Sequence, residues 1–136
     1  MYRQRTWRPS ANKFRAVKCE YDGYIYDSKF EASVAIDLDL RLKAGEILGW
    51  ERQFLVEIIP YDSIGNPVPK LKVSHKIDFR VHEVNGTFTL LEAKGVETSD
   101  WRRRRRWLEE LWLPDHPDHQ YVVVKQGKMW KRKAMK

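Results

Sequence analysis

The run "LKVSHKIDFRVHE" (71–83) alternates between apolar and polar residues along its length. Val73, His75, Ile77, Phe79 and Val81 fall on one side. Lys72, Ser74, Lys76, Asp78, Arg80 and His82 fall on the other. A period of two predicts a strand with one buried face. The turn dipeptide Asn85-Gly86 comes next, and the segment 87–94 after it is rich in β-branched, aromatic and aliphatic residues. The pair reads as two strands joined by a tight turn, which puts a sheet at the centre of the fold.

The other segments arrange themselves around that sheet. "KCEYDGYIYDS" (18–28) reads as a hairpin about Asp22-Gly23. "SKFEASVAIDLDLRLKAG" (28–45) reads as a helix, with Ser28 as its cap, Glu31 at capping-box spacing and Gly45 as its stop. "ERQFLVEII" (51–59) reads as a strand ended by Pro60, and the Pro-rich stretch 60–69 as a loop. A second helix is expected from about Ser99 to Leu113, stopped by Pro114. "QYVVVKQG" (120–127) reads as a central buried strand. The order helix, three strands, helix, strand predicts an α/β fold, a mixed sheet flanked by helices with an N-terminal hairpin. The domain is expected over 18–127, between a basic arm (1–17) and a basic tail (128–136).

Apolar residues make up 42% of the chain, and Trp, Tyr and Phe total seventeen. That is too much core material for a disordered chain. No run of about 18 apolar residues occurs, so no membrane span is expected. The first fifteen residues lack the apolar stretch of a secretory signal. Cys19 stands alone, which excludes an internal disulfide and fits a reducing cytoplasm. The net charge of +7 points to a polyanionic partner, nucleic acid before an anionic membrane. The charge is uneven. Arg3, Arg5, Arg8, Lys13, Arg15 and Lys18 form an acid-free beginning, Lys125, Lys128, Lys131, Arg132, Lys133 and Lys136 an acid-free end, and "WRRRRRW" (101–107) adds five arginines. The middle is net acidic. Phosphate contacts are therefore expected from Arg3, Arg5, Arg8, Arg102, Arg103, Arg106, Lys131 and Arg132. Trp7, Trp101 and Trp130 are available to stack on bases, but core or interface packing is the expected job of Trp101, Trp107 and Trp112.

A carboxylate and an ammonium interrupt the end of the buried strand 87–94. Glu92 and Lys94 stand two residues apart, hence on one face about 7 Å apart. Asp78 lies on the polar side of the preceding strand. On the first helix, Ala35, Leu38 and Leu42 fall within about 40° of Glu31, which turns this acid toward the core. Converging carboxylates without His or Cys make a hard-oxygen site suited to Mg²⁺, with Mn²⁺ as the alternative. A metal there polarises a phosphodiester and acidifies a bound water, and a lysine beside it offsets charge on the phosphorus. "DHPDH" (115–119) offers two histidines and two acids, but with Pro117 in it a plain polar loop is the expected reading.

Asp78 followed one strand later by Glu92-Ala93-Lys94 resembles the PD-(D/E)xK nuclease superfamily, and the element order is similar to that family's restriction-endonuclease-like core. "YDGYIYDSKFEA" followed by an "ERQ" strand resembles a small phage-type branch, similar to archaeal Holliday junction resolvases and transposon end-cutting endonucleases. The resemblance spans about residues 18–126. It implies that Asp78, Glu92 and Glu31 bind the metal, that Lys94 is the catalytic lysine and that Gln53 lines the site. The family's proline before the aspartate is replaced by Ile77. The implied activity is a Mg²⁺-dependent DNA endonuclease cutting by in-line water attack, acting in the cytoplasm as a homodimer on branched DNA such as a four-way junction. The alternatives are a restriction-like or transposon end-cutting endonuclease and a non-catalytic nucleic-acid-binding module.

A shared metal requires Asp78 and Glu92 to face each other, and this selects the turn. A two-residue loop at Asn85-Gly86 pairs Val84 with Thr87 and sets Phe79 opposite Glu92. A three-residue loop, Val84-Asn85-Gly86 with Gly86 left-handed, pairs Glu83 with Thr87. Asp78 then faces Glu92, Phe79 faces Leu91 and Ile77 faces Ala93. The second register is expected.

Overall fold

In the computed structural model of the chain, which describes residues 17–126, the turn after Glu83 takes three residues. Glu83 N–H donates to Thr87 O at 2.9 Å and Gly86 N–H to Glu83 O at 3.1 Å. Gly86 has φ +85°, a left-handed conformation open to glycine. The Asn85 side chain closes the turn by accepting from the Thr87 N–H at 3.0 Å and from its hydroxyl at 2.6 Å. Strand β4 (Val73–Glu83) and strand β5 (Phe88–Lys94) therefore pair with Phe79 opposite Leu91 and Val81 opposite Thr89. This is the second of the two registers. The ladder ends at Phe79–Leu91, so neither the expected Asp78–Glu92 pair nor the expected Ile77–Ala93 pair is made. The Ala93 N–H donates to Asp78 Oδ2 instead, at 2.9 Å.

Strand β3 (Ile47–Ile58) lies antiparallel to β4, and strand β6 (His119–Lys125) lies parallel to β5. The order β3-β4-β5-β6 makes a mixed four-stranded sheet. β3 begins four residues before the predicted strand, because the register shift between Ile47 and Gly49 lets Ile47 stay buried. β6 is an outer strand rather than the predicted central one, and only Val124 in it is buried. An apolar run signals two covered faces equally well at an edge and at the centre of a sheet.

Helix α1 (Lys29–Lys43) covers one face. Ser28 caps it by accepting the Glu31 N–H at 3.0 Å, and Gly45 follows its end at φ +74°. Ala32, Val34, Ala35 and Leu38 pack there with Ile47, Phe79, Val81, Leu91 and Val124. Helix α2 (Ser99–Trp107) covers the other face, capped by Thr98. It continues through a π-helical turn over 108–112 and a 3-10 turn over 113–115, so the predicted single helix loosens before Pro114. Leu108 packs there with Val56, Ile58, Ile77 and Leu90. The hairpin, β1 (Cys19–Tyr21) and β2 (Tyr24–Tyr26), turns at Asp22 (φ 50°) and Gly23 (φ 79°), the paired positive angles of a type I′ turn. Asp39 of α1 fastens it, accepting from the Tyr21 hydroxyl at 2.7 Å and from Trp50 Nε1 at 3.0 Å. No helix among the described residues is long and apolar enough to cross a membrane.

The alternation in β4 holds for burial but not for destination. His75, Ile77, Phe79 and Val81 are all buried, yet Ile77 joins the α2-side cluster while Phe79 and Val81 join the α1-side cluster. β3 does the same, with Trp50 on the α1 side and Phe54, Val56 and Ile58 on the α2 side. The exchange occurs at Asp78 in β4 and at Gln53 in β3, which flank each other in the register. Gln53 has φ 53°, a left-handed twist that swaps the faces of the residues on either side. Both glycine-like positions can be tested by urea denaturation. Gly86→Ala meets no atom within 4 Å and should lose about 1–2 kcal/mol from backbone strain alone. Gln53→Gly should instead gain up to about 1 kcal/mol, since strain relief exceeds the entropy cost of glycine.

Candidate active site

Asp78 sits where β4 leaves β5, with one carboxylate oxygen taken by the Ala93 N–H. Burial opposes its ionisation, and the charge of Glu31 adds to that. The hydrogen bond from Ala93 and the Lys94 charge pull the other way, but the carboxyl is still pushed up from 3.8 to about 7. Glu31, in the first turn of α1, is only 8% exposed. Its carboxyl is also raised, first by burial and then by Asp27, against the charges of Arg52 and Lys94 and a bond from the Asp27 backbone. The two acids thus come from separate elements, are both poorly solvated and repel each other.

Glu92 has a different environment. It faces the α2 side, as an even-numbered residue of β5 does here. His75 Nε2 lies 2.6 Å from its Oε1. Trp101 Nε1 donates to its Oε2 at 2.6 Å, and the Tyr121 hydroxyl donates to the same oxygen. Burial alone would raise this carboxyl, but the bonds from His75, Tyr121 and Trp101 outweigh it and hold the group below its usual range. Lys94 shares that face, with Nζ 5.3 Å from the centre of the Trp101 ring.

The sequence-predicted residues divide accordingly. Asp78 and Glu31 come together, with Lys94 near enough for its charge to act on both. Glu92 stands at the same level of the sheet, but three donors occupy its oxygens. Gln53 is exposed and flanks Asp78 through the backbone register. Among the described residues no group of three or more His, Cys, Asp or Glu side chains is placed to hold a metal ion. Asp78 and Glu31 fit a hard cation as a pair, since a cation relieves their repulsion. Mg²⁺ commonly takes one or two carboxylates and completes its shell with water and substrate phosphate.

Arg102, Arg103 and Arg106 are exposed on α2. The helix's arginines are not free of acids as the bare run of five suggests: Arg102 pairs with Glu97 (3.7 Å), Arg104 with Asp100 (3.3 Å), Arg105 with Glu109 (2.8 Å) and Arg106 with Glu110 (3.4 Å). Such exposed pairs are weak and can exchange for phosphate. Arg3, Arg5, Arg8, Lys131, Arg132, Trp7 and Trp130 lie outside the described residues. The segment 115–119 is more than a polar loop. His116 stacks on Trp112 at 3.7 Å, and His119 on Phe88 at 4.7 Å.

Sequence reasoning missed His75, Trp101 and Tyr121 as partners of Glu92, and Arg52 beside Glu31. His75 was visible as the one titratable residue on an apolar strand face. Nothing in the local pattern singles out Trp101, Tyr121 or Arg52. A family model described as "Protein of unknown function (DUF1064)" matches residues 11–135. No curated protein and no solved structure matches the chain.

Two stability measurements separate the two carboxylates. The folded carboxyl of Asp78 holds its proton to about 7 and the unfolded one only to 3.8. The folded state therefore binds the extra proton between those values, and stability falls as pH rises through them. Asp78→Asn keeps an acceptor for the Ala93 N–H and removes the charge. It should raise the melting temperature at pH 8 and leave it nearly unchanged near pH 4. Glu92→Ala strands three buried donors and should cost about 3–5 kcal/mol at neutral pH in chemical denaturation.

Proposed function

We propose that this chain, which belongs to the DUF1064 family, is a Mg²⁺-dependent DNA endonuclease. The observation that carries the reading is electrostatic: the charge of Glu31 on α1 raises Asp78 in the middle of β4, and the charge of Lys94 at the end of β5 acts on both. Among the described residues neither acid has a side-chain cation in contact, and both resist ionising. The element order and the parallel β5–β6 pair support the resemblance to the PD-(D/E)xK core. A bound Mg²⁺ supplies positive charge at the phosphodiester and a water of lowered pKa. Asp78 and Glu31 would hold that ion. Lys94, whose Nζ lies 5.3 Å from the centre of the Trp101 ring, would add an ammonium beside the attacked phosphorus. Glu92 ties β4, β6 and α2 to the strand that carries Lys94.

The charge distribution supports DNA as the substrate. Residues 1–16 and 127–136 carry ten basic residues and no acid, whereas residues 17–126 carry sixteen basic and nineteen acidic, a net charge of −3. Phosphate attraction is thus concentrated in the arms and on α2. The proposed substrate is branched DNA such as a four-way junction, cut by a homodimer that presents one site to each of two strands. A second reading, a non-catalytic nucleic-acid-binding module, is favoured by one observation: the oxygens of Glu92 are already occupied by protein donors.

Incubating the protein with linear duplex, flap and four-way junction DNA tests both. Cleavage of the junction is expected in Mg²⁺ and none in EDTA. Asp78→Asn and Glu31→Gln should each slow it by about 10²-fold or more. Binding without cleavage in Mg²⁺ or Mn²⁺ would establish the module reading. Equal cutting of linear and branched DNA would remove only the branched substrate.

A further inference from the structure

Arg52 lies on β3, one residue before the left-handed Gln53. Its guanidinium carbon stands 4.6 Å from the centre of the Tyr24 ring and 4.7 Å from that of Tyr26, both on β2. Nη2 donates to Ile25 O at 3.3 Å. Nε is buried and has no partner, and no carboxylate lies within ion-pair distance among the described residues. The Tyr26 hydroxyl, in a side chain only 1% exposed, is likewise buried without a partner. Arg52 pairs with Phe79 in the β3–β4 register, next to Asp78. So a guanidinium, its plane steadied by two aromatic rings, stands one register position from Asp78 with an N–H that none of the described residues uses.

Buried N–H groups are almost always paired, and an unpaired one calls for an explanation. Neutralising Glu31 does not supply it, because the two groups make no ion pair and Glu31 still resists ionising. A ligand oxygen does. The fixed fork of a guanidinium matches two oxygens of a phosphate, which a lysine ammonium cannot imitate. We propose that Arg52 binds the non-bridging oxygens of the phosphodiester placed at Glu31 and Asp78, with the Tyr26 hydroxyl as a second donor. This assignment rests on the nuclease reading for its reaction, but its anion binding stands apart from it.

The experiment has two arms. In single-turnover cleavage, Arg52→Lys should cut about 10²-fold more slowly than the wild type. Its affinity for the same DNA in EDTA should stay within about threefold, since the charge is kept. A merely structural role for the stacked arginine would change the melting temperature and affinity along with the rate. In ¹H–¹⁵N spectra, the Arg52 Nε–H resonance should move when a short duplex is added to the wild-type protein. Wild-type cleavage by Arg52→Lys, or an unmoved resonance, overturns the assignment and leaves the nuclease reading standing. A wild-type protein that cuts no DNA sinks the nuclease reading, and the resonance alone then decides whether Arg52 binds phosphate.

Discussion

The hydrogen bond from the Ala93 N–H to Asp78 Oδ2 decides how the centre of the sheet is built. A carboxylate takes the place that a backbone carbonyl of β4 would fill, so the β4–β5 ladder stops at Phe79–Leu91. Beyond that point β5 leans on β6, with Glu92 beside Val123 and Lys94 beside Lys125. The gap brings the acid of β4 up to the end of β5. It also coincides with the exchange of faces at Gln53 and Asp78, which sends Ile77 to the α2 side and Phe79 to the α1 side. Everything near the carboxylate pair inherits that irregularity: the direction of Arg52, the burial of Asp78 and the exposure of Gln53.

Asp78 and Glu92 lie just past the last rung of the β4–β5 ladder and have opposite environments. Glu92 receives donors from three elements, β4, α2 and β6, and is held in its charged form. Asp78 receives one backbone donor and is held in its neutral form up to about 7. Environments that push two carboxyls apart also divide their work. A saturated carboxylate can tie elements together but has little left to offer a ligand. An under-satisfied one weakens the fold at neutral pH and retains capacity for an incoming cation. The same sequence pattern, an acid followed by Glu-x-Lys, therefore contains one structural acid and one available acid in this chain.

Much of the architecture was legible in the sequence. Alternation located β4, Asp22-Gly23 and the Asn85-Gly86 turn located two hairpins, and Ser28 and Gly45 bounded α1. The requirement that Asp78 face Glu92 chose the three-residue turn between two that local chemistry allows. What was not legible came from contacts distant along the chain. The apolar run of β6 looks the same at an edge as at a centre. Periodicity cannot announce a left-handed Gln53, so the change of faces in β3 and β4 was invisible. Glu31 was found through its helical angle. Arg52 and Tyr121 were not found, because their roles are defined by partners 27 and 29 residues away.

The positive charge that the described residues bring to the carboxylate pair does not hold either acid at its ordinary value. Arg52 and Lys94 both act to lower Glu31, and Lys94 acts to lower Asp78, yet both acids remain above their ordinary values. The body around them is itself acidic, so the long-range field does not help. The basic arms cannot substitute on the proposed reading, because their attraction is for phosphates, and a bound phosphodiester brings further negative charge to the same place. Two carboxylates and a phosphodiester then face one guanidinium and one ammonium. On the proposed reading a divalent cation held by the two acids would offset that imbalance, so metal and DNA would each favour the binding of the other. A site of two carboxylates, too sparse to cage an ion alone, is the arrangement that such coupling requires.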